Sequence, residues 1–180
     1  MIAQRNQQAE ILAIDISESA AVLARDNFKR SPYAERIAAQ CIDYKLSSFK
    51  TKFDLIVCNP PFFEPNSSTK DRVARQTLEL DAESFLSKSA ELLVGNGRVS
   101  VIIPADQFEL YLMSAKSLNL FLIRRIDIYG IENGAVKRNI LEFSKIEGKV
   151  LSETFVIEKS PRKYSDQYLE LTKEFHVFGK

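Results

Sequence analysis

The most chemically informative stretch of the chain is Asp54-Leu55-Ile56-Val57-Cys58-Asn59-Pro60-Pro61-Phe62-Phe63. It sets a primary amide, two prolines and two aromatic rings in succession. The Asn59 side-chain oxygen accepts a hydrogen bond, and so does the Pro60 carbonyl. Two such acceptors suit the two N–H groups of an exocyclic amine on a nucleobase. Holding both protons outside the ring plane moves the nitrogen towards sp3 and frees its lone pair for a methyl group. No strong general base is needed, because the nitrogen becomes acidic only once it carries the methyl. Phe62 offers a ring on which the base can stack, a contact worth about 1–3 kcal/mol. The plainer reading is a buried strand followed by a Pro-rich turn, since Asn-Pro alone is a common turn signal. Asn-Pro-Pro-Phe directly after a buried strand is much rarer.

Such a corner needs a strand beneath it. Leu55 to Cys58 is a short apolar run rich in β-branched residues, which predicts a buried strand. Pro60 and Pro61 end it, because neither can donate to a sheet ladder. Upstream, Ile11-Leu12-Ala13-Ile14-Asp15-Ile16 predicts another buried strand, this one ending in a carboxylate. Ser17 is a good N-cap with Glu18 in the first turn, and a helix to about Lys29 follows, with Ala20, Ala24 and Phe28 on one face. Ser31-Pro32 closes it. Ile37 to Ile42 predicts a strand ending at Asp43. Strands alternating with a helix, each with a polar group at its carboxyl end, predict an α/β fold with a parallel, doubly wound sheet. Ligands of such sheets bind at that end of the strands. Asp15 is placed to bind ribose hydroxyls, Ile16 to pack on an adenine face, and Asp43 to accept from an adenine amino group. Taken alone, Asp15 reads more readily as a helix-capping or loop acid.

Residues 63–77 form a polar stretch long enough for a lid or substrate-binding loop. Arg72 and Arg75 share a face if that stretch turns helically, and they suit RNA phosphates or simply a solvated basic turn. Asp81 caps the next predicted helix, with Phe85, Leu86, Leu92 and Leu93 as its apolar stripe. Gly95-Asn96-Gly97 is expected to terminate it in left-handed conformations. Arg98 to Ile103, closed by Pro104, is the next strand, and a helix from about Asp106 to Lys116 turns Phe108, Leu112 and Ala115 inward. Phe121 to Tyr129 and Lys137 to Ser144 predict an antiparallel pair at the far edge of the sheet. Arg124, Arg125, Lys137, Arg138 and Lys145 concentrate positive charge there. That charge fits RNA backbone, and it fits edge-strand protection equally well. Glu153 to Glu158 predicts a further strand and Tyr164 to Thr172 a short capped helix. His176 reads as a surface or packing residue.

Composition sets the frame. The chain has 180 residues, 45% hydrophobic and 27% charged, which predicts one globular domain spanning the chain with a real core. Lys+Arg is 25 against 24 for Asp+Glu, so any basic surface must be local. Cys41 and Cys58 lie in apolar runs and read as small buried hydrophobes rather than a disulfide or metal pair. With no Cys/His cluster, no metal is expected. No apolar run approaches the ~20 residues of a membrane helix, and the polar first ten residues are no signal peptide, so a cytoplasmic protein without a membrane partner is expected. Oligomeric state is open.

Asn59-Pro60-Pro61-Phe62 resembles the amino-methyltransferase signature of the class I S-adenosylmethionine-dependent enzymes. From Met1-Ile2-Ala3-Gln4-Arg5 to Leu171-Thr172-Lys173-Glu174-Phe175, the chain resembles one subgroup, the bacterial tRNA1(Val) adenine-37 N6-methyltransferases. The resemblance implies S-adenosylmethionine as cofactor, tRNA as partner, and a Rossmann-like sheet. It implies that Asn59, Pro60, Pro61 and Phe62 are catalytic, and that Asp15, Ile16, Asp43 and Asn59 hold the cofactor. Arg72, Arg75, Arg124, Arg125, Lys137 and Arg138 are then the RNA-binding candidates. The family also carries a first strand and a Gly-x-Gly-x-Gly turn. This sequence shows neither, since all six glycines lie at Gly95 or later. The resemblance therefore implies a chain that starts inside the first helix, with flanking strands that pair directly or are completed by another chain, and weak cofactor binding. Rival readings are a glutamine-N5 or DNA adenine methyltransferase, or a catalytically silent RNA-binding remnant.

Overall fold

The structure is a computed structural model that describes residues 1–60 and 80–175. Within it the chain divides into two compact units, residues 1–49 and 50–180.

The first unit is a β-α-β element. A short helix α1 (Ile2–Arg5) leads to β1 (Ile11–Asp15), α2 (Glu18–Lys29) and β2 (Ile37–Cys41). Ser17 caps α2 by accepting from the Ala20 N–H at 3.4 Å, as its position before the apolar run predicts. The helical crossover lets β1 and β2 pair in parallel, with Asp15 level with Cys41. Ala20, Ala24 and Phe28 are partly covered on α2, and Ala21 beside them is its fully buried residue. The Arg36 guanidinium holds the end of α1, donating to the carbonyls of Ala3 (3.0 Å), Asn6 (3.1 Å) and Ala9 (2.8 Å). One side chain thus satisfies several of the acceptors a helix end leaves open.

The second unit is a six-stranded sheet in the order β3-β4-β6-β5-β7-β8. Its strands are β3 (Phe53–Cys58), β4 (Leu93–Pro104), β5 (Phe121–Ile131), β6 (Val136–Ser144), β7 (Leu151–Ser160) and β8 (Lys163–Tyr164). β3, β4, β5 and β7 run the same way, and β6 and β8 run against them. The predicted antiparallel pair is present as β5–β6, but the sheet continues beyond it through β7 and β8. Among the described residues three helices accompany it: α3 (Ala82–Leu92), α4 (Phe108–Ser117) and α5 (Asp166–Thr172). α3 packs on β4 and α4 on β5. The core alternates along β4 and β6 as a sheet with one covered face requires: Val99, Val101, Ile103, Leu141 and Phe143 are all at most 1% exposed. Phe85, Leu86 and Leu92 of α3 complete it.

Four expectations are corrected. Gly95-Asn96-Gly97 does not end α3 in left-handed turns: no glycine has positive φ among the described residues. The chain passes straight from Leu92 into β4, and the register jumps from Phe53↔Leu93 to Leu55↔Arg98. Gly97 is needed for close approach instead, since a Cβ there would meet the Phe53 carbonyl at 3.0 Å. The left-handed residues are Asn119, Asn133 and Arg162. Tyr164 belongs to β8, and Ser165 caps α5 by accepting from the Tyr168 N–H at 3.0 Å. Cys41 is exposed rather than buried. Finally, β3 is not a buried strand. It pairs with β4 alone, and Leu55 and Val57 are 52% and 57% exposed. Leu55 and Val57 share one face of the strand, and that face is open among the described residues. β1 likewise has β2 as its one strand partner among the described residues.

Candidate active site

The cofactor candidates of the first unit lie side by side. Asp15 ends β1, and its backbone carbonyl accepts from the Ile42 N–H at 3.0 Å, which sets Asp43 beside it at the carboxyl end of the neighbouring strand. Each carboxylate has one oxygen committed locally: Asp15 Oδ1 accepts from the Ser17 N–H at 2.8 Å, and Asp43 Oδ1 from the Lys45 N–H at 2.9 Å. These Asx-type bonds orient both carboxylates and leave each Oδ2 for a ligand. Between them Ile16 presents an apolar surface that is 57% exposed. Two acceptors flanking an exposed aliphatic side chain match a ribose diol, a purine face and a purine amino group.

In the second unit, β3 delivers Asn59. Asn59 is exposed while Pro60, immediately after it, is buried. The proline anchors the corner and the amide faces outward. Among the described residues the Asn59 side chain has no hydrogen-bond partner, so both its oxygen and its nitrogen are open to a ligand. Pro61 and Phe62 lie outside the described residues, as do Phe63, Arg72, Arg75 and His176.

Beneath the corner sits a pair of residues that hydrophobic periodicity alone does not single out. Burial pushes the Cys58 thiol up to about 11, keeping it protonated and unreactive. Tyr111 of α4 is 3% exposed, and its hydroxyl is pushed well above the ordinary range, first by burial and then by the negative ends of Cys58 and Asp81. Both groups are therefore neutral supports. The only sequence signal for Tyr111 is its i+3 spacing from Phe108 on a helix whose register was otherwise legible.

The basic candidates separate into two kinds. Arg124 donates to Glu153 at 2.5 Å and to Glu142 at 3.4 Å, and the Glu153 bond in particular holds its guanidinium more firmly protonated than usual. Arg125 forks onto Asp127 at 2.6 and 3.2 Å and lies 4.3 Å over the Phe108 ring. Their charges are neutralised inside the sheet. Lys137 and Arg138 are exposed and have no ion-pair partner among the described residues.

The parallel strands with polar groups at their carboxyl ends define a methyltransferase fold of class I, and known structures agree. A predicted O-methyltransferase from Agrobacterium tumefaciens superposes with a TM-score of 0.73, covering 96% of this chain and 81% of that one at 14% identity. The N-methyltransferase NodS from Bradyrhizobium japonicum gives 0.52 over 76% and 73% at 16% identity. A family described as the methyltransferase small domain matches residues 1–108. A protein of Flavobacteriaceae bacterium (strain 3519-10) is 47% identical over 99% of this chain and 78% of its own length, and one of Bacteroides fragilis is 34% identical over 98% and 77%. Both carry the name tRNA1(Val) (adenine(37)-N6)-methyltransferase. The chain belongs to the methyltransferase small domain family, alongside these relatives. It is an enzyme, and S-adenosylmethionine is its cofactor.

Proposed function

We propose that this enzyme methylates the exocyclic N6 of adenine 37 in tRNA1(Val), and that Asn59 holds the amine that accepts the methyl. The reading draws its substrate from the names of relatives up to 47% identical. The observation that carries the site is the exposed Asn59 amide, without a hydrogen-bond partner among the described residues, on a buried proline at the carboxyl end of β3. Asn59 Oδ1 and the Pro60 carbonyl accept the two N6 hydrogens, and Phe62 stacks on the ring. The target adenine leaves its stack to reach them. Asp15 receives the ribose hydroxyls of the cofactor, Ile16 packs on its adenine, and Asp43 accepts from that adenine's amino group. When bound, S-adenosylmethionine supplies an electrophilic methyl group. What the chain contributes to rate is the position of the amine, since correct orientation removes much of the entropic barrier. The proton leaves the nitrogen last, to solvent, without a side-chain base.

The enzyme works in the cytoplasm, where tRNA is its partner. Consistent with that, no helix among the described residues is long and apolar enough to cross a membrane. Methyl transfer to a tRNA1(Val) transcript tests the substrate. Label is expected in N6-methyladenosine at position 37, and an inosine there, which has no amine, should accept none. Equal labelling of the inosine transcript would exclude an N6 target.

A further inference from the structure

We infer that Tyr111 is a positioning residue for methyl transfer: its hydroxyl is the donor that holds the main chain of the Asn59 corner while the amine is in place. The inference rests on the N6-adenine reading and adds to it a residue that acts through Asn59.

Placement comes first. Cys58 is level with Val101, Val101 with Leu141, and Leu141 with Arg125. Side chains at paired positions share a face, so these four make one row across β3, β4, β6 and β5. Leu55 and Val57 point to the opposite face. α4 lies over the row, since the Arg125 guanidinium sits 4.3 Å from the centre of the ring of Phe108, its first residue. Tyr111 follows one turn later on the same side of the helix and is 3% exposed. The row that α4 covers ends at Cys58, the residue before Asn59.

The second observation is a hydroxyl without a partner. Among the described residues the Tyr111 hydroxyl makes no hydrogen bond. No side-chain nitrogen or oxygen among them is fully sealed without a partner, so the tip of Tyr111 keeps an opening. Burial first, and then Cys58 and Asp81, keep the phenol protonated, so it donates rather than accepts charge. Packing alone does not call for it. A phenylalanine would fill the same space and leave no polar group unpaired, which is the more stable arrangement. A buried hydroxyl kept at that expense points to a role outside packing.

The third is what the corner lacks. Pro60 and Pro61 carry no N–H, so the corner has no main-chain donor of its own after Asn59. β3 has β4 as its one strand partner among the described residues, so no second strand braces it there. The Asn59 amide is reserved for the amine, and the Cys58 thiol is only a weak donor. The Tyr111 hydroxyl supplies a strong donor on the face to which Cys58 points.

The test is Tyr111→Phe, read by melting temperature, by binding of S-adenosylmethionine and tRNA1(Val), and by single-turnover methylation at saturating levels of both. The variant should melt no lower than wild type and bind both ligands within a factor of about two. Its rate should fall roughly 10- to 100-fold, as a misplaced reacting group requires. Stability and rate then part company, which a purely structural tyrosine would not allow. In an Asn59→Ala background the same change should cost less than about twofold, because a residue that acts through Asn59 has nothing left to position. A wild-type rate in Tyr111→Phe, a lower melting temperature, a loss carried by affinity, or the full rate loss in both backgrounds would each overturn the assignment. The N6 reading fails separately, if the wild-type enzyme puts no methyl on adenine N6.

Discussion

Cys41 and Cys58 stand in similar apolar text and end in opposite environments. Cys41 is exposed on β2, and its thiol only reaches the Ile16 carbonyl at 3.5 Å. Cys58 is half-buried next to Asn59, and burial raises its thiol from the ordinary 9.0 to about 11. Only the thiolate is nucleophilic, so at pH ~8 a two-unit rise cuts the reactive fraction about 100-fold. Alkylation followed by mass spectrometry should therefore modify Cys41 well before Cys58, with Cys58 catching up only as pH climbs towards 11. Equal rates at pH ~8 would mean the corner is not sealed from below. Asn59 itself was legible as a type of residue at a type of corner. That its amide would be exposed on a buried proline was not, because burial depends on packing by residues distant in sequence.

Among the elements, α3 shows how local chemistry fixes a boundary. Asp81 Oδ1 accepts from the Ser84 N–H at 2.8 Å and Oδ2 from the Ser84 hydroxyl at 2.7 Å. Partial burial pushes the Asp81 carboxyl up, but the Ser84 bonds outweigh it and hold the carboxyl below its ordinary value. A depressed carboxyl adds stability above its unfolded value and loses it as pH falls through the folded one. Asp81→Ala should cost about 1 kcal/mol at neutral pH, as lost caps do. Thermal melts should show the gap from wild type closing below about pH 4. A gap that is constant with pH would remove the carboxylate from the account. Ser17 and Asp81 were legible as caps for the same reason: a cap is a contact within three or four residues. Gly95 to Gly97 misled because glycines near a helix end usually mark a turn. Here one of them makes room for the Phe53 carbonyl of a neighbouring strand, a requirement set across the sheet. The apolar run of β3 predicted a strand correctly and burial wrongly, since alternation and composition describe a strand but not its neighbours.

At the scale of the molecule, the proposed roles divide cleanly between the two units. On that proposal Asp15, Ile16 and Asp43 of the first hold the cofactor, and Asn59 of the second holds the amine. Changes in one unit should then affect one ligand. The family resemblance and the α/β class were legible from motif order alone, while the two separate sheets and the continuation through β7 and β8 came only with the pairing of strands. The most direct test pairs single-turnover methylation of tRNA1(Val) with calorimetric binding of S-adenosylmethionine, in wild type and Asn59→Ala. Loss of a preorganised polar contact in a reacting site costs about 100- to 1,000-fold in rate. The expected result is a rate at least 100-fold lower with cofactor affinity within a factor of two or so. A variant that methylates as fast as wild type would contradict the role of Asn59 and the account built on it.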